Sequence, residues 1–254
     1  MKLFLNKSEF FDTEAGVDLS IPLRNGAENA MAWYAEPVDI QPVVQGDFIG
    51  DVNQGGPVNF KTIKLNPHGN GTHTECVGHI SSEPFTINQC LKSFHFLGQV
   101  ITVQPDTFEN PKYDETDLII TKKHIEASVI PNFYGEILVM RTLPNEIDKK
   151  HRNYSNANPP YLLPEAMTFI NELGIKHLMV DMPSVDRESD DGVLQTHHMF
   201  WDYPENPQLD KTITEMVYVP NELQDGPYLF QIQIMSLEMD ASPSKILAHR
   251  IQKG

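Results

Sequence analysis

The sequence predicts a mixed α/β fold. Three observations carry that expectation: β-branched runs of strand length at 97–103, 117–121 and 136–141, a helix-then-strand unit from Pro164 to Asp181, and an alternating run at Phe230–Ile234. With 254 residues, 40% of them hydrophobic, and a mean hydropathy of -0.35, the chain is ample for one large core. It is read as a single domain over residues 1–254.

Taken in order, the first sixty residues are punctuated by Pro22, Pro37, Pro42, Gly46, Gly50, Gly55, Gly56 and Pro57, which predicts loops and short strands. Trp33 among them either packs in the core or lines a pocket for an aromatic substrate. The three β-branched runs read as buried strands, and Thr121 caps a short helix over 121–127. Residues 144–160, polar and rich in asparagine, read as a long exposed loop bordering an active site. Pro164 suits a first helical position, Ala166, Met167, Ile170 and Leu173 form an apolar stripe, and Gly174 ends the helix. The strand over 175–181 then delivers Asp181, Ser184 and Asp186 into a loop, where they read as caps and supporting partners. Phe230–Ile234 and the run 245–251 read as closing strands with one covered face.

Charge and composition exclude several functions. A net charge of -16 opposes broad affinity for nucleic acid or anionic membranes. No stretch of about 18 apolar residues predicts a membrane span, and the short apolar start predicts no signal peptide. Two cysteines, Cys76 and Cys90, imply no disulfide framework, so a cytoplasmic setting is expected.

Chemistry concentrates between His68 and His79, where three imidazoles and the Glu75 carboxylate crowd into twelve residues. Such donors suit zinc or manganese. On an extended backbone His73, Glu75 and His79 share parity and face one side. His68 is out of register and needs a turn, for which Gly69-Asn70-Gly71 supplies the residues. Cys76 has the opposite parity and should point away. Further donors follow at Asp181–Asp186, His197-His198 and Glu215.

These segments resemble, in the same order, the blocks of the cyclase superfamily of metal-dependent hydrolases, whose best-known members are bacterial kynurenine formamidases. Residues 68–79 are similar to its HxGTHxDxPxH motif, Asp18–Leu23 to DLSxPL, Asp181–Asp186 to DxPSxD, His197–Trp201 to HxxxL/W, Ile213–Met216 to IxEN/GL, and Asp240–Pro243 to DGSP. Gly69 stands where the family has its first histidine, Glu75 replaces an aspartate, and Val77 replaces a proline.

The resemblance implies a swivelling β/β/α-type fold with a mostly β core, assembled as a homodimer or homotetramer. It assigns one or two divalent ions, zinc or manganese, to His68, His73, Glu75, His197 and Glu215, with Glu75 bridging if there are two. His197 is preferred to His198, because the family's histidine stands four residues before the position of Trp201. His79 would be the general acid/base, or else a further ligand. The implied activity is hydrolysis of a small amide or formamide, as in arylformamidases, by hydroxide generated at the ion. Alternatives are a metal-dependent cyclase, dehydratase or cyclic-amide hydrolase, or a metal-binding protein without catalysis.

Overall fold

The computed structural model describes residues 1–133 and 135–254. Seven strands close into a ring: β1 (His73–Cys76), β2 (His95–Val103), β3 (Ile137–Thr142), β4 (His177–Val180), β5 (Thr212–Glu215), β6 (Gly226–Ile234) and β7 (Ala241–Arg250). The order around the ring is β6-β2-β3-β4-β5-β1-β7, and β7 pairs back onto β6. Strands β2 to β5 are mutually parallel and the other pairings antiparallel. Closure leaves no unpaired edge in the ring.

Parallel neighbours need long crossovers, and each one here carries a helix. Helix α1 (Ile87–Cys90) lies in the connection from β1 to β2, which are not neighbours in the ring, while α2 (Lys122–Ser128) lies between β2 and β3, α3 (Pro164–Glu172) between β3 and β4, and α4 (Gln195–Trp201) between β4 and β5. Strand alternation divides the apolar residues into two cores. Val100, Ile137, Val139, Met179, Phe230 and Ile232 pack together inside the ring with Cys76. Their neighbours Ile101, Leu138, Met140, Leu178 and Val180 face outward, against Ala166, Met167 and Ile170 of α3 and Phe200 and Trp201 of α4. Two covered faces explain why β3 and β4 read as continuous apolar runs.

The α/β expectation with a mostly β core holds, and α3 begins at Pro164 and is followed by Gly174 at φ 74°. Two local expectations do not hold. The run at 117–121 belongs to the strand Glu115–Ile120, which lies outside the ring and pairs with Asp106–Asn110 and Tyr161–Leu162, so Leu118 is exposed. The segment 144–160 is not uniformly exposed, because Asn145, Lys149 and Tyr154 are buried. Lys149 Nζ donates to Asp181 at 2.8 Å and to the Thr142 carbonyl at 2.7 Å, a paired buried charge that pins the segment onto β3.

The Trp201 ring is wholly buried under α4, and its Nε1 donates to the Lys211 carbonyl at 3.0 Å. Trp201→Ala should cost about 3–5 kcal/mol, read from the midpoint of urea unfolding. A loss below about 1 kcal/mol would contradict this packing.

Candidate metal centre

Antiparallel pairing of β1 with β5 sets the inner half of the site. Glu75 stands opposite Ile213, and His73 opposite Glu215. Since Ile213 packs outward against the helix layer, its face-mates His73, Glu75 and Glu215 emerge on the same outer face of the ring. All three are buried. The turn before β1 needs the positive φ of Gly71 (68°), and the Gly71 carbonyl accepts a hydrogen bond from His73 Nδ1 at 3.1 Å.

Helix α4 covers this face and brings His197. The Asp186 carboxylate accepts the backbone N–H groups of Thr196 (2.8 Å) and His197 (3.1 Å), and the same residue accepts His197 Nδ1 at 2.7 Å. One side chain thus satisfies the open amides at the start of α4 and fixes the tautomer of its histidine. His198 points elsewhere, donating from Nδ1 to the Tyr203 carbonyl at 2.9 Å.

The donor atoms converge. His68 Nδ1 lies 3.0 Å from Glu75 Oε2, His197 Nε2 lies 3.3 Å from Glu75 Oε1 and 3.7 Å from Glu215 Oε1, and His73 Nε2 lies 3.4 Å from Glu215 Oε2. Ligands bonded to one ion at about 2.1 Å stand about 3.0–3.4 Å apart, a range that three of these four contacts meet. His68, His73 and Glu75 form one set of donors within 4.8 Å of one another, and Glu75, His79 and His197 a second. The atoms also lack other partners: His73 Nε2, both Glu75 oxygens and Glu215 Oε1 are buried with no hydrogen bond among the described residues. Buried polar atoms left this way are costly unless something binds them. A divalent cation fits the donor set.

All six expected site residues are therefore gathered, though not all as anticipated. The strand ends at Cys76, and His79 reaches the site through a 3-10 turn, Val77–His79, with its Nδ1 3.8 Å from Glu75 Oε2. Cys76 faces the ring interior, as its parity requires. Asp181 is spent on Thr142 and Lys149, a supporting role. Sequence reasoning assigned no role to Asp240, whose Oδ2 is 2.7 Å from His68 Nε2 and 3.6 Å from His79 Nδ1. The DGSP-like block was the available signal.

Beside the cluster is a cavity of about 310 Å3 walled by Trp33, His68, His79, Ser184, Leu194 and His197, with Arg187 at its side. Trp33 stands in it at a positive φ of 58°. The N-terminal block that carries Trp33 is stapled to the motif, since Thr72 Oγ1 accepts the Ile21 amide at 2.8 Å and donates to the Met216 carbonyl at 2.6 Å.

The sequence profile of the Cyclase family, described as Putative cyclase, matches residues 17–187. No curated protein sequence matches. Among solved structures, similarity extends to a potential metal-dependent hydrolase with cyclase activity, at 14% identity and TM-score 0.61 over 92% of this chain and 96% of the other. Isatin hydrolase A from Labrenzia aggregata, bound to benzyl benzoate, is 17% identical with TM-score 0.61 over 92% and 93% of the two chains. An isatin hydrolase bound to the product analogue thioisatinate is 18% identical with TM-score 0.60 over 93% and 92%. At these identities the likeness is one of fold. No helix among the described residues is long and apolar enough to cross a membrane.

The electrostatics show what the carboxylates demand. Burial pushes the Glu75 carboxyl up, but His79, His197 and His68 outweigh it and hold the group well below the usual range. Burial pushes His197 down, and Asp186, Glu215 and Glu75 overturn that and hold it well above its usual value. His68 is likewise lowered by burial, yet Asp240 and Glu75 raise it to about 10. Protons here stand in for positive charge that a cation would supply. Zinc binding should therefore release protons, and apparent affinity should rise as pH climbs from neutrality towards 10, where proton competition at His68 fades. Calorimetric zinc titrations in buffers of different ionisation enthalpy count those protons; no release, or uptake, is the contrary result.

Proposed function

The chain belongs to the Cyclase family, and from that premise we propose that it is a metal-dependent hydrolase of a small, neutral amide borne on an aromatic ring, of the aryl formamide class. The observation that carries this reading is the juxtaposition of His79, on the cavity wall, with buried atoms of His73, Glu75 and Glu215 that have no hydrogen-bond partner among the described residues. In this reading His68, His73, Glu75, His197 and Glu215 hold one or two divalent ions. A cation so held would supply a Lewis acid for the amide carbonyl and acidify a water.

The chain's own residues account for the remaining work. An imidazole can take a proton from an attacking water and return it to a departing nitrogen, and His79, which lines the cavity and is not among the residues proposed to hold the ion, is the one assigned that role. Trp33 and Leu194 supply flat and apolar surface for an aromatic ring. At about 310 Å3 the cavity is at the small end for ligand sites. A neutral substrate suits it because Arg187 is already committed, donating to Asp117 at 3.0 Å and to the Ser189 carbonyl at 2.6 Å, with Glu115 also against it. Isatin hydrolases, which share the fold, are named for action on an aromatic cyclic amide, which supports the same bond class.

The test is turnover of a panel of aryl formamides and aryl lactams by the zinc- or manganese-loaded protein, with and without chelator. Chelator-sensitive release of formate from an aryl formamide is the expected result. Water elimination or addition without amide cleavage would instead select a dehydratase or cyclase. His79→Ala should lower turnover about a hundred- to ten-thousand-fold while metal content stays unchanged. Loss of bound metal in that variant would make His79 a ligand and remove its proposed role.

A further inference from the structure

Three of the imidazoles aimed at the two glutamates, those of His68, His73 and His197, have the other ring nitrogen tied down. His73 Nδ1 donates to the Gly71 carbonyl and His197 Nδ1 to Asp186, so each presents Nε2 inward. His68 repeats the arrangement with its nitrogens exchanged. Its Nε2 donates to Asp240 Oδ2 at 2.7 Å, while Nδ1 faces Glu75 Oε2 at 3.0 Å. That second contact is close but is not aligned as a hydrogen bond, and Glu75 Oε2 remains without a hydrogen-bond partner. Two atoms so placed have the relation of neighbouring ligands rather than of donor and acceptor.

We propose that Asp240 is a positioning residue of the metal centre, holding His68 so that it offers Nδ1 to the cation where His73 and His197 offer Nε2. The proposal rests on the metal-dependent reading above. The ring's origin at position 68 follows from the backbone. A Cβ at position 69 would lie 2.3 Å from Ala35 Cβ and 3.1 Å from the Ala32 carbonyl oxygen, so no side chain can leave the chain there. The imidazole must come from position 68 instead. Asn66 Oδ1 fixes that loop by accepting the amides of His68 at 3.0 Å and Gly69 at 3.2 Å. The ring then stacks on His79, with centroids 4.3 Å apart. Asp240 is anchored beside it because its carbonyl accepts the Cys76 amide at 2.9 Å, next door to Glu75.

A carboxylate behind a ligating imidazole is typically worth 10–100-fold in metal affinity. The experiment titrates metal-free wild type, Asp240→Ala and Asp240→Asn with zinc alone against a chromogenic chelator, after thermal unfolding has shown that the metal-free variants keep the wild-type fold. Asp240→Ala should bind zinc about 10–100-fold more weakly at unchanged stoichiometry, and Asp240→Asn should retain more affinity, since its amide oxygen can still accept Nε2–H. Long-range proton–nitrogen spectra of the zinc-loaded wild type, with the His68 signals identified by their loss in His68→Gln, should show Nε2 protonated and Nδ1 bound. Wild-type affinity in Asp240→Ala, or bonding of His68 through Nε2, overturns the proposal. Loss of one ion per chain in both Asp240 variants overturns it too, by making Asp240 a ligand. A wild type that binds no zinc or manganese refutes the metal-centre reading itself.

Discussion

Two carboxylates, Glu75 and Glu215, are buried on the outer wall of a β-ring, and among the described residues no donor satisfies either Glu75 oxygen or Oε1 of Glu215. Charge so placed is tolerable only with a counter-charge at hand. The surroundings are organised to provide one: the imidazoles of His68, His73 and His197, each held by an outer acceptor and each turned inward. The apolar layer of Phe200, Trp201 and Ile213 next to them keeps water away and so raises the strength of every charge interaction in the cluster. The same burial that would destabilise an unfilled pair of carboxylates makes the cluster selective for a cation.

The ring is what allows residues far apart in sequence to share that wall. Strand β1 comes early in the chain and β5 and β7 late, yet β1 lies between them. His73 and Glu75 thereby meet Glu215 on one side and Asp240 on the other. Helix α4 then delivers His197 from above, with Asp186 serving both the helix start and the imidazole. Site and scaffold use the same bonds, which is why few of the supporting contacts can be removed without moving a donor.

Much of this was legible in the sequence, for local reasons. The density of imidazole between His68 and His79 is visible in any reading, the parity of His73 and Glu75 follows from an extended backbone, and Pro164 and Gly174 bracket α3 by conformational preference alone. What was not legible depended on partners distant along the chain. The position of Asp240 against His68 spans 172 residues of sequence, and the DGSP-like block marks the segment without indicating which histidine it meets. The parity of His79 suits an extended strand, but the chain turns at Val77 and the residue arrives by another route. The strand at Glu115–Ile120 reads as a core element because its β-branched content resembles that of the ring strands, whereas only pairing decides membership.

The pairing of β1 with β5 also bears on how the protein matures. Side chains alternate along a strand, so sliding β1 by a single residue would turn His73 and Glu75 into the ring interior and swing Thr74 and Cys76 outward. A misaligned ring could still form many backbone bonds, but it would seat two charged or polar groups among Val139, Met179 and Phe230 and could not chelate. If the centre holds an ion as proposed, capture by correctly threaded chains would draw the folding population away from slipped alternatives, and metal supply would then influence the yield of native protein as well as its chemistry.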